Sequence, residues 1–340
     1  MVDIYNRIRE FSGVARLSKH EQIVKGVLTS IEDQLVERGE MLPSINQMSN
    51  ELGYARKTID KAYGELKDRG LVESRNRRGF FVSTDSVDRT VRVALILYEF
   101  RPFQEMFYNV FRRSVGENVQ VDTYFHHNNL SVFEDIITKV CGSYGLYVVA
   151  PIVDRRVPRI LGQLLTNRLL LIDRYVDLGE NGPHVIQEFE KSTFSLLSSL
   201  LERIKSYKRM EIFFRQDAEA AYPTEILSAC RRFCRMNGIR LKVHDRYKSG
   251  SLEREVLYLT IGDNDLWSLL EDCIDRNYVL SKDVGILSHN ESRIKKIVHG
   301  GVSTWSTDFG RMAEQAARFV LERKSERITI PTKFTDRGSF

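Results

Sequence analysis

The sequence predicts two folds in one chain: an α+β domain over residues 1–82 and an α/β domain over residues 91–340. Residues 19–82 carry three helical patterns followed by two short β-like runs, which is typical of a small α+β unit. From residue 91 onwards, apolar β runs alternate with helical segments, and this alternation predicts parallel sheets covered by helices. Residues 83–90 are polar apart from one valine and predict a linker. A chain of 340 residues is long enough for two or three domains.

The first helical pattern begins at a capping box. Ser18 and Glu21 have the spacing at which each side chain bonds the other residue's backbone N–H. An apolar series with helical period follows, and its members are Ile23, Val24, Val27, Leu28, Ile31 and Leu35. Gly39 is predicted to end this helix, because glycine commonly follows the last helical residue.

A second, shorter helix begins at Ser44, which has capping-box spacing to Gln47, and it stops at Gly53. The third helix is predicted over residues 54–69 and places one apolar face towards the core, formed by Ile59, Ala62, Tyr63 and Leu66. A short supporting helix, a tight turn and a longer helix together form a helix-turn-helix. In that motif the first residues of the longer helix, which we call the reader, approach the edges of DNA bases.

Residues 71–74 and 80–82 are β-like runs on either side of a basic turn, and they predict a hairpin wing. Between residues 54 and 82, eight basic residues oppose four acidic ones, so the local excess is +4 against +5 for the whole chain. Positive charge concentrated on one small unit is typical of a phosphate-binding surface. The alternative is a solvated basic surface on an ordinary helical domain.

The order of these residues resembles the GntR-type winged helix over about residues 19–82. The segments that carry the resemblance are Leu42-Pro43-Ser44, Ala55-Arg56-Lys57-Thr58-Ile59, Gly70-Leu71-Val72 and Arg77-Arg78-Gly79-Phe80-Phe81-Val82. The resemblance implies that Arg56 and Thr58 contact DNA from the reader and that Arg78 and Gly79 form the wing tip. The predicted DNA-binding residues are Ser44, Arg56, Lys57, Thr58, Lys61, Arg75, Arg77, Arg78 and Gly79.

Three positions depart from the pattern of that family. Asn46 stands where many members have an arginine beside the turn, which weakens one phosphate contact. Ala55 replaces the usual serine and loses a helix-capping hydrogen bond worth about 1 kcal/mol. Arg77 replaces the first wing glycine and alters how the wing enters the groove.

The second domain is predicted to contain two α/β lobes. Its predicted strands are residues 91–98, 119–125, 146–152, 169–173, 210–214, 239–244, 256–261 and 284–288. Its predicted helices include residues 190–205, 223–237, 264–277 and 307–323. About 250 residues of this pattern are enough for two lobes.

This half of the chain resembles the LacI-type regulators and the periplasmic ribose-binding proteins, in which two α/β lobes hold a ligand between them. The resemblance is carried by Leu95-Ile96-Leu97 with Arg101-Pro102-Phe103, Tyr147-Val148-Val149-Ala150-Pro151, Leu171-Ile172-Asp173-Arg174, Gly262-Asp263-Asn264-Asp265, Lys282-Asp283-Val284-Gly285-Ile286 with Asn290, Val302-Ser303-Thr304-Trp305 and Gly310-Arg311-Met312-Ala313. It implies a periplasmic-binding-protein-like domain with a cleft at the carboxyl ends of the strands.

A cleft for a polyol needs carboxylates, amides and guanidinium groups for hydroxyls, and flat apolar faces for the sugar ring. The residues that the resemblance places there are Phe103, Gln104, Asp173, Arg174, Asn264, Asn290 and Trp305. Other interpretations stay open: Asp173 and Arg174 also suit a salt bridge between lobes or protomers, Asn264 suits a helix cap, and Trp305 suits the core.

Two departures bear on the ligand. The family's Arg-x-x-Gly-Phe segment is missing, and Tyr222-Pro223-Thr224-Glu225-Ile226 stands in its place, so a common sugar-contacting arginine is lost or replaced. Arg101 stands in place of an asparagine and favours an acidic or phosphorylated ligand, unless its side chain points into water.

Other features place the chain in the cytoplasm. The sequence has no run of 18 apolar residues, and its N-terminus lacks the apolar core of a signal peptide. The four cysteines form no disulfide framework; Cys230 and Cys234 are predicted to face the core rather than a zinc ion. His126 and His127, followed by two asparagines, are predicted to form a surface loop.

The sequence contains none of the common nucleotide-binding, hydrolase or metalloprotease motifs, so neither enzymatic activity nor a cofactor or metal ion is predicted. The expected function is that of a transcriptional regulator, a homodimer on a pseudo-palindromic operator, controlled by a small-molecule effector of the sugar class. Two alternatives remain: an α/β enzyme acting on sugars or nucleotides with an appended helical domain, and a solute-binding protein without a DNA role.

Overall fold

A computed structural model of the chain describes residues 2–13, 17–68, 70–75, 78–83, 91–100, 102–164, 166–179, 182–215 and 222–340. Most of the predicted linker, residues 83–90, lies outside the described residues, and so do Arg77 and Arg101. Within the described residues, no helix is long and apolar enough to cross a membrane.

The N-terminal domain is a four-helix winged helix-turn-helix. Its elements are α1 (Val2–Glu10), α2 (Lys19–Glu32), α3 (Ile45–Leu52), α4 (Arg56–Asp68), β1 (Val72–Arg75) and β2 (Gly79–Val82). The two strands pair antiparallel, and the helices enclose one apolar core that includes Ile23, Val27, Ile59 and Tyr63. Both capping boxes are formed, at Ser18 with Glu21 and at Ser44 with Gln47.

Helix α2 ends at Glu32, so the predicted end at Gly39 is wrong. The following segment turns back and pairs with the wing instead: Gly39 N donates to Val82 O at 2.8 Å and Leu42 N donates to Phe80 O at 2.9 Å. The backbone groups that a longer helix would have paired internally are therefore satisfied by β2.

Helix α1 was not predicted. Its apolar face, with Ile4 and Ile8, is buried against α2. The contact is close because α2 has Gly26 there: a Cβ on Gly26 would lie 2.4 Å from Ile8 Cγ1 and 2.8 Å from Ile8 Cα. The absence of a side chain at this one position lets the two helices pack together.

The second domain has twenty helices and strands of three or more residues in the described chain. In chain order they are β3 (Val91–Leu97), α5 (Pro102–Val115), β4 (Val119–Phe125), α6 (Leu130–Val140), β5 (Leu146–Val149), α7 (Val157–Leu161), β6 (Leu169–Asp173), β7 (His184–Gln187), α8 (Glu190–Ser199), α9 (Leu201–Lys205), β8 (Arg209–Phe213), α10 (Thr224–Asn237), β9 (Leu241–His244), β10 (Val256–Thr260), α11 (Asp263–Asp275), β11 (Gly285–His289), β12 (Ser303–Thr307), α12 (Phe309–Glu322), β13 (Arg327–Ile330) and β14 (Thr332–Thr335), apart from short 3-10 turns.

These elements form two lobes, each built on a six-stranded sheet. The N lobe has the strand order β13-β7-β6-β5-β3-β4, and all of its strands are parallel. The C lobe has the order β14-β12-β11-β10-β8-β9, in which only β14 is antiparallel to its neighbour. All eight predicted strands are present, with ends shifted by at most three residues.

The strands β7, β12, β13 and β14 were not predicted. They are four or five residues long, and β12 reads Ser-Thr-Trp-Ser-Thr, so its burial is not signalled by apolar residues. The strands β13 and β14 lie at sheet edges and carry charged residues. Cys230 and Cys234 are both buried on α10, as predicted.

The chain passes between the lobes three times, after β7, after β12 and between β13 and β14. The positions of these crossings are adjacent: Gln187 pairs with Ile330 in the N-lobe sheet, and Thr307 pairs with Thr332 in the C-lobe sheet. Three neighbouring connections allow the lobes to open and close about one region of the chain.

The Gly26 contact predicts opposite effects for two glycine-to-alanine substitutions. Gly26→Ala should lower the free energy of unfolding of the N-terminal domain by about 1–3 kcal/mol, because α1 must move away. Gly64→Ala is the control: Gly64 is also helical, a Cβ there would meet no other atom within 4 Å, and the change should stabilise by up to about 1 kcal/mol. Urea denaturation measures both. Equal effects would contradict the close packing of α1 on α2.

Candidate functional site

The reader helix α4 is oriented by the turn that precedes it. Ser44 caps α3, with Gln47 N donating to Ser44 Oγ at 3.2 Å. Gly53 ends that helix with a φ of 67°, a left-handed conformation that glycine adopts without strain. Ser49 Oγ then donates to Tyr54 O at 2.8 Å and fixes the turn into α4.

The predicted reader residues lie on the surface of α4. Arg56, Lys57 and Lys61 are exposed, and Thr58 is half-buried in the same first turns. The opposite face of α4, with Ile59 and the other core residues, is buried. One helix thus supplies both an anchored apolar face and an exposed basic face at its N-terminal end, the arrangement needed to approach base edges and phosphates.

The wing adds a second basic surface. Arg75 is held in place, since its Nε donates to Glu73 Oε1 at 2.7 Å and its guanidinium lies 4.4 Å from the centre of the Phe81 ring. Arg78 is exposed, and Gly79 has a φ of 109°, which requires glycine. The prediction for Arg77 falls outside the described residues.

A polar cleft lies between the two lobes, where the carboxyl ends of their parallel strands face each other. Its enclosed part has a volume of about 120 Å³ and opens into a wider groove. The lining residues are Tyr98, Glu99, Phe103, Gln104, His127, Asn128, Asp173, Arg174, Gln187, Phe189, Tyr222, Pro223, Ile261, His289 and Asn290. The structure therefore brings together five of the seven residues predicted to bind the effector: Phe103, Gln104, Asp173, Arg174 and Asn290.

Several cleft residues have a left-handed backbone. Among the described non-glycine residues, His127, Asn128, Asp173 and Asn290 have φ values of 49°, 55°, 68° and 61°. Such conformations cost about 1–3 kcal/mol each for a non-glycine residue and concentrate where a ligand is bound. They occur at or just after the ends of β4, β6 and β11, so the backbone of these strands changes conformation where it reaches the cleft.

A hydrogen-bond network crosses the cleft at the hinge. Gln187 Nε2 donates to Asp173 Oδ1, and Gln187 Oε1 accepts from Thr307 Oγ1 of the C lobe at 2.7 Å. Burial raises the pKa of Asp173, although Arg174 and Gln187 act in the opposite direction. Asp173 is therefore held by a hinge residue, and a ligand that contacts it also contacts the connection between the lobes.

Arg174 extends from the N lobe to the C lobe. Its Nη1 lies 3.7 Å from Glu225 Oε2, and its guanidinium lies 5.0 Å from the centre of the Phe189 ring. The interlobe ion pair considered from the sequence thus involves Arg174 and Glu225 rather than Asp173. Asn290 faces it across the cleft, and Asn290 Oδ1 is buried without a hydrogen-bond partner in the described part of the chain.

The structure corrects two of the predicted effector contacts. Trp305 is 1% exposed and belongs to the core of the C lobe, behind His289 at a ring distance of 5.0 Å. Its ring has no free face for a sugar. Asn264 is exposed in the first turn of α11 and lines neither the cleft nor the groove; Gly262, not Asn264, is the N-cap.

The histidine-asparagine segment after β4 is the predicted loop, with His127 and Asn129 exposed, but His126 departs from the prediction. His126 is fully buried, with Nε2 3.0 Å from Ala150 O, and Asn129 caps α6. His127 and Asn128 line the cleft. The rule that ligands bind at the carboxyl ends of parallel strands would have selected this segment, since it directly follows β4.

The remaining cleft residues that were missed are Tyr98, Glu99, Gln187, Phe189, Tyr222, Pro223, Ile261 and His289. Tyr98 is the last residue of a predicted strand and Glu99 directly follows it, so both were available to the same rule. Gln187 and Phe189 belong to the unpredicted β7 and its connection, so no sequence signal pointed to them.

Comparison with known proteins identifies the first domain. Residues 19–82 match the family of bacterial regulatory proteins called the gntR family. Residues 19–82 are a gntR-family domain. The HTH-type transcriptional regulator Rv1152 of Mycobacterium tuberculosis is 31% identical over 75 residues, which are 22% of this chain and 62% of that regulator. The chain thus spans less than two thirds of the curated relative that it matches.

The gntR-family domain is followed by a domain with the fold of LacI-family effector domains. A LacI family transcriptional regulator from Lactobacillus casei with bound sucrose has a TM-score of 0.62 at 12% identity, covering 73% of this chain and 99% of that one. The trehalose repressor of Escherichia coli has a TM-score of 0.61 at 11% identity, covering 72% and 100%. An Alkaliphilus metalliredigens periplasmic binding protein/LacI regulator complexed with D-xylulofuranose has a TM-score of 0.57 at 9% identity, covering 74% and 99%.

The cleft histidine predicts a pH dependence of stability. Burial, with Lys295 and Arg174 nearby, lowers the pKa of His289 from 6.5 to about 3. Between these values the unfolded chain binds more protons than the folded one, so stability is full above pH 6.5 and is lost as the pH falls. At pH 5 the loss from this one group is about 2 kcal/mol.

His289→Gln should therefore flatten the fall in unfolding free energy between pH 7 and pH 5 by about 2 kcal/mol. Urea denaturation of the C lobe at each pH measures it. Gln104→Asn, which changes a buried cleft residue without removing a titrating group, is the control. A parent-like slope in His289→Gln would show that this ring is protonated normally in the folded protein.

Proposed function

We propose that the protein is a sequence-specific DNA-binding transcriptional regulator whose affinity for its operator is controlled by a small molecule of the sugar class. One observation carries the proposal: a gntR-family winged helix with an exposed basic reader is fused to a two-lobed domain with a polar cleft. The reader supplies phosphate and base contacts. The second domain supplies a site whose occupancy can alter the shape of the chain.

The composition of the cleft supports a polyol. Gln104, Asn128, Gln187 and Asn290 are amides, which both donate to and accept from hydroxyl groups. Phe103 and Phe189 add flat apolar faces for a sugar ring. Structural relatives hold sucrose or D-xylulofuranose in the same fold, which supports the sugar class without naming the sugar.

Operator binding requires a second reader in this proposal. A homodimer with two-fold symmetry doubles the contacts of a short reader and matches a pseudo-palindromic operator. Ligand-induced closure of the lobes then changes the relation between the two readers, and the change in DNA affinity cannot exceed the difference in ligand affinity between the two shapes. Such a regulator acts in the bacterial cytoplasm, where the DNA is.

The proposed DNA binding is tested with DNA duplexes that the full-length protein selects from a random pool. Arg56→Ala should weaken binding to the selected duplex by about 1–3 kcal/mol, or roughly 5- to 150-fold. Lys67→Ala, at the exposed C-terminal end of the same helix, is the control and should change affinity little. Unchanged affinity in Arg56→Ala would overturn the assignment of the reader, and failure to retain any duplex would favour a solute-binding protein.

The proposed effector binding is tested by a thermal-shift screen against monosaccharides, disaccharides, sugar acids and sugar phosphates. A sugar at about 100 times its dissociation constant should add about 2.7 kcal/mol of stability. Asn290→Ala should abolish that shift, because the unpartnered Asn290 Oδ1 faces the ligand.

Asn264→Ala is the matched control, since this asparagine lies outside the cleft and the variant should respond like the parent. A normal shift in Asn290→Ala, or a lost shift in Asn264→Ala, would contradict the assigned site. Chemical conversion of the sugar during the assay would instead favour an enzyme.

A further inference from the structure

A buried arginine of the N lobe contacts the gntR-family domain. Arg168, just before β6, is 3% exposed, yet its guanidinium reaches the C-terminal end of α2 in the gntR-family domain. Nη2 lies 2.5 Å from Asp33 Oδ2, and Nη1 lies 3.3 Å from Glu32 Oε2. Nη2 also donates to the Thr29 carbonyl at 3.5 Å. The end of a helix is where a cation is stabilised by the free carbonyl groups.

A second contact lies on the same face of α2. Lys25 Nζ donates to the Cys141 carbonyl in the turn after α6 of the N lobe. Lys25, Thr29 and Glu32 are spaced at i, i+4 and i+7, so they form one stripe along the helix. Gly142 lies against this stripe, because a Cβ there would come within 3.0 Å of Lys25 side-chain atoms. Contact therefore extends over two helical turns.

The contact is partly desolvated: the side chain of Arg168 is 4% exposed, and those of Glu32 and Asp33 are 30% and 27% exposed. Burial raises the pKa of Glu32, more than the neighbouring Arg168 lowers it, and burial lowers the pKa of Lys25. Asp33 is shared with a second arginine, because Arg7 Nη2 of α1 lies 2.8 Å from its Oδ2. Charges removed from water in this way persist only when the opposing groups are held in place on both sides.

Helix α2 is also packed against the reader. Its apolar face forms the domain core with α4, and α1 covers it from the other side. A domain fixed through the polar stripe of α2 therefore has its reader fixed as well, with Arg56 and Lys57 still exposed.

We infer that Arg168 and the turn at 141–145 form a docking surface on the N lobe for the polar stripe of α2. The gntR-family domain is then held by the effector domain itself and not by the linker alone. The docking itself does not depend on the proposed function. Its consequence for operator binding rests on the proposed function. Removal of the guanidinium leaves Glu32 without its ion-pair partner and Asp33 with Arg7 of its own domain alone, and it releases the domain.

Hydrogen–deuterium exchange of the full chain tests the docking without DNA or sugar. Arg168→Met should speed exchange of the amides of residues 26–36 by about tenfold or more, since their protection then depends on the small domain alone. Exchange of β10, in the core of the C lobe, reports whether the variant has folded. Arg254→Met is the matched control, because Arg254 pairs with Asp283 on the C lobe, away from α2.

A milder variant and a double variant complete the experiment. Glu32→Gln should also speed exchange of residues 26–36, and it keeps both the buried Arg168 and the Arg7–Asp33 pair. Arg168→Met combined with Glu32→Gln should exchange no faster than Arg168→Met alone, because that change has already removed the guanidinium that pairs with Glu32. Parent-like exchange in both single variants, or fully additive effects, would overturn the docking surface.

The selected duplex separates the two proposals. If the parent retains no duplex while exchange responds as described, the regulator function fails and the docking surface stands. If the parent binds the duplex while exchange in Arg168→Met matches that in Arg254→Met, the docking surface fails and the function stands.

Discussion

The packing of α12 against α5 is the interaction on which the two-lobed arrangement depends. Helix α12 follows β12, the last parallel strand of the C lobe, but its buried face belongs to the core of the N lobe. The buried residues of this helix are Phe309, Met312, Ala313, Ala316, Ala317, Phe319 and Val320. The C lobe is thus connected to the N lobe through a helix that cannot leave its apolar site without exposing it. Motion between the lobes is restricted to the residues at the crossings.

The same helix touches the cleft at one end and the docking region at the other. Phe309, at its start, packs on Phe103 of the cleft with ring centres 4.8 Å apart. At its end, Arg323 caps the helix in a left-handed conformation, and its pKa is lowered by burial near Asp33, Arg168 and Glu32. A change of cleft shape that shifts α12 along its axis would therefore act on the charges that surround the end of α2. Helix α12 thus lies next to the cleft at its start and next to the charges at the end of α2 at its own end.

The sequence predicted best those elements that local chemistry determines. Both capping boxes, helix α4 and the eight predicted strands follow from spacing and periodicity, and each is present. The failures arise where tertiary contacts decide. The end of α2 depends on pairing with the wing, α1 depends on the close approach at Gly26, and β12 is a buried strand made of Ser and Thr. In the cleft, the residues directly after predicted strands were identified from the sequence or could have been. Gln187 and Phe189 lie in the connection between the lobes, for which the sequence gives no signal. Trp305 is buried in the core of the C lobe and does not face the cleft.

The polar character of the contact between the domains suits a contact that has to be made and broken. An apolar interface of similar extent would be too stable to release for a modest change in ligand binding. In buried ion pairs the cost of desolvation offsets much of the attraction. A ligand whose affinities for two lobe arrangements differ by a few kcal/mol is then sufficient to shift such an equilibrium. Arg168, Glu32 and Asp33 thus hold α2 at one position on the N lobe through charged groups rather than through an apolar face.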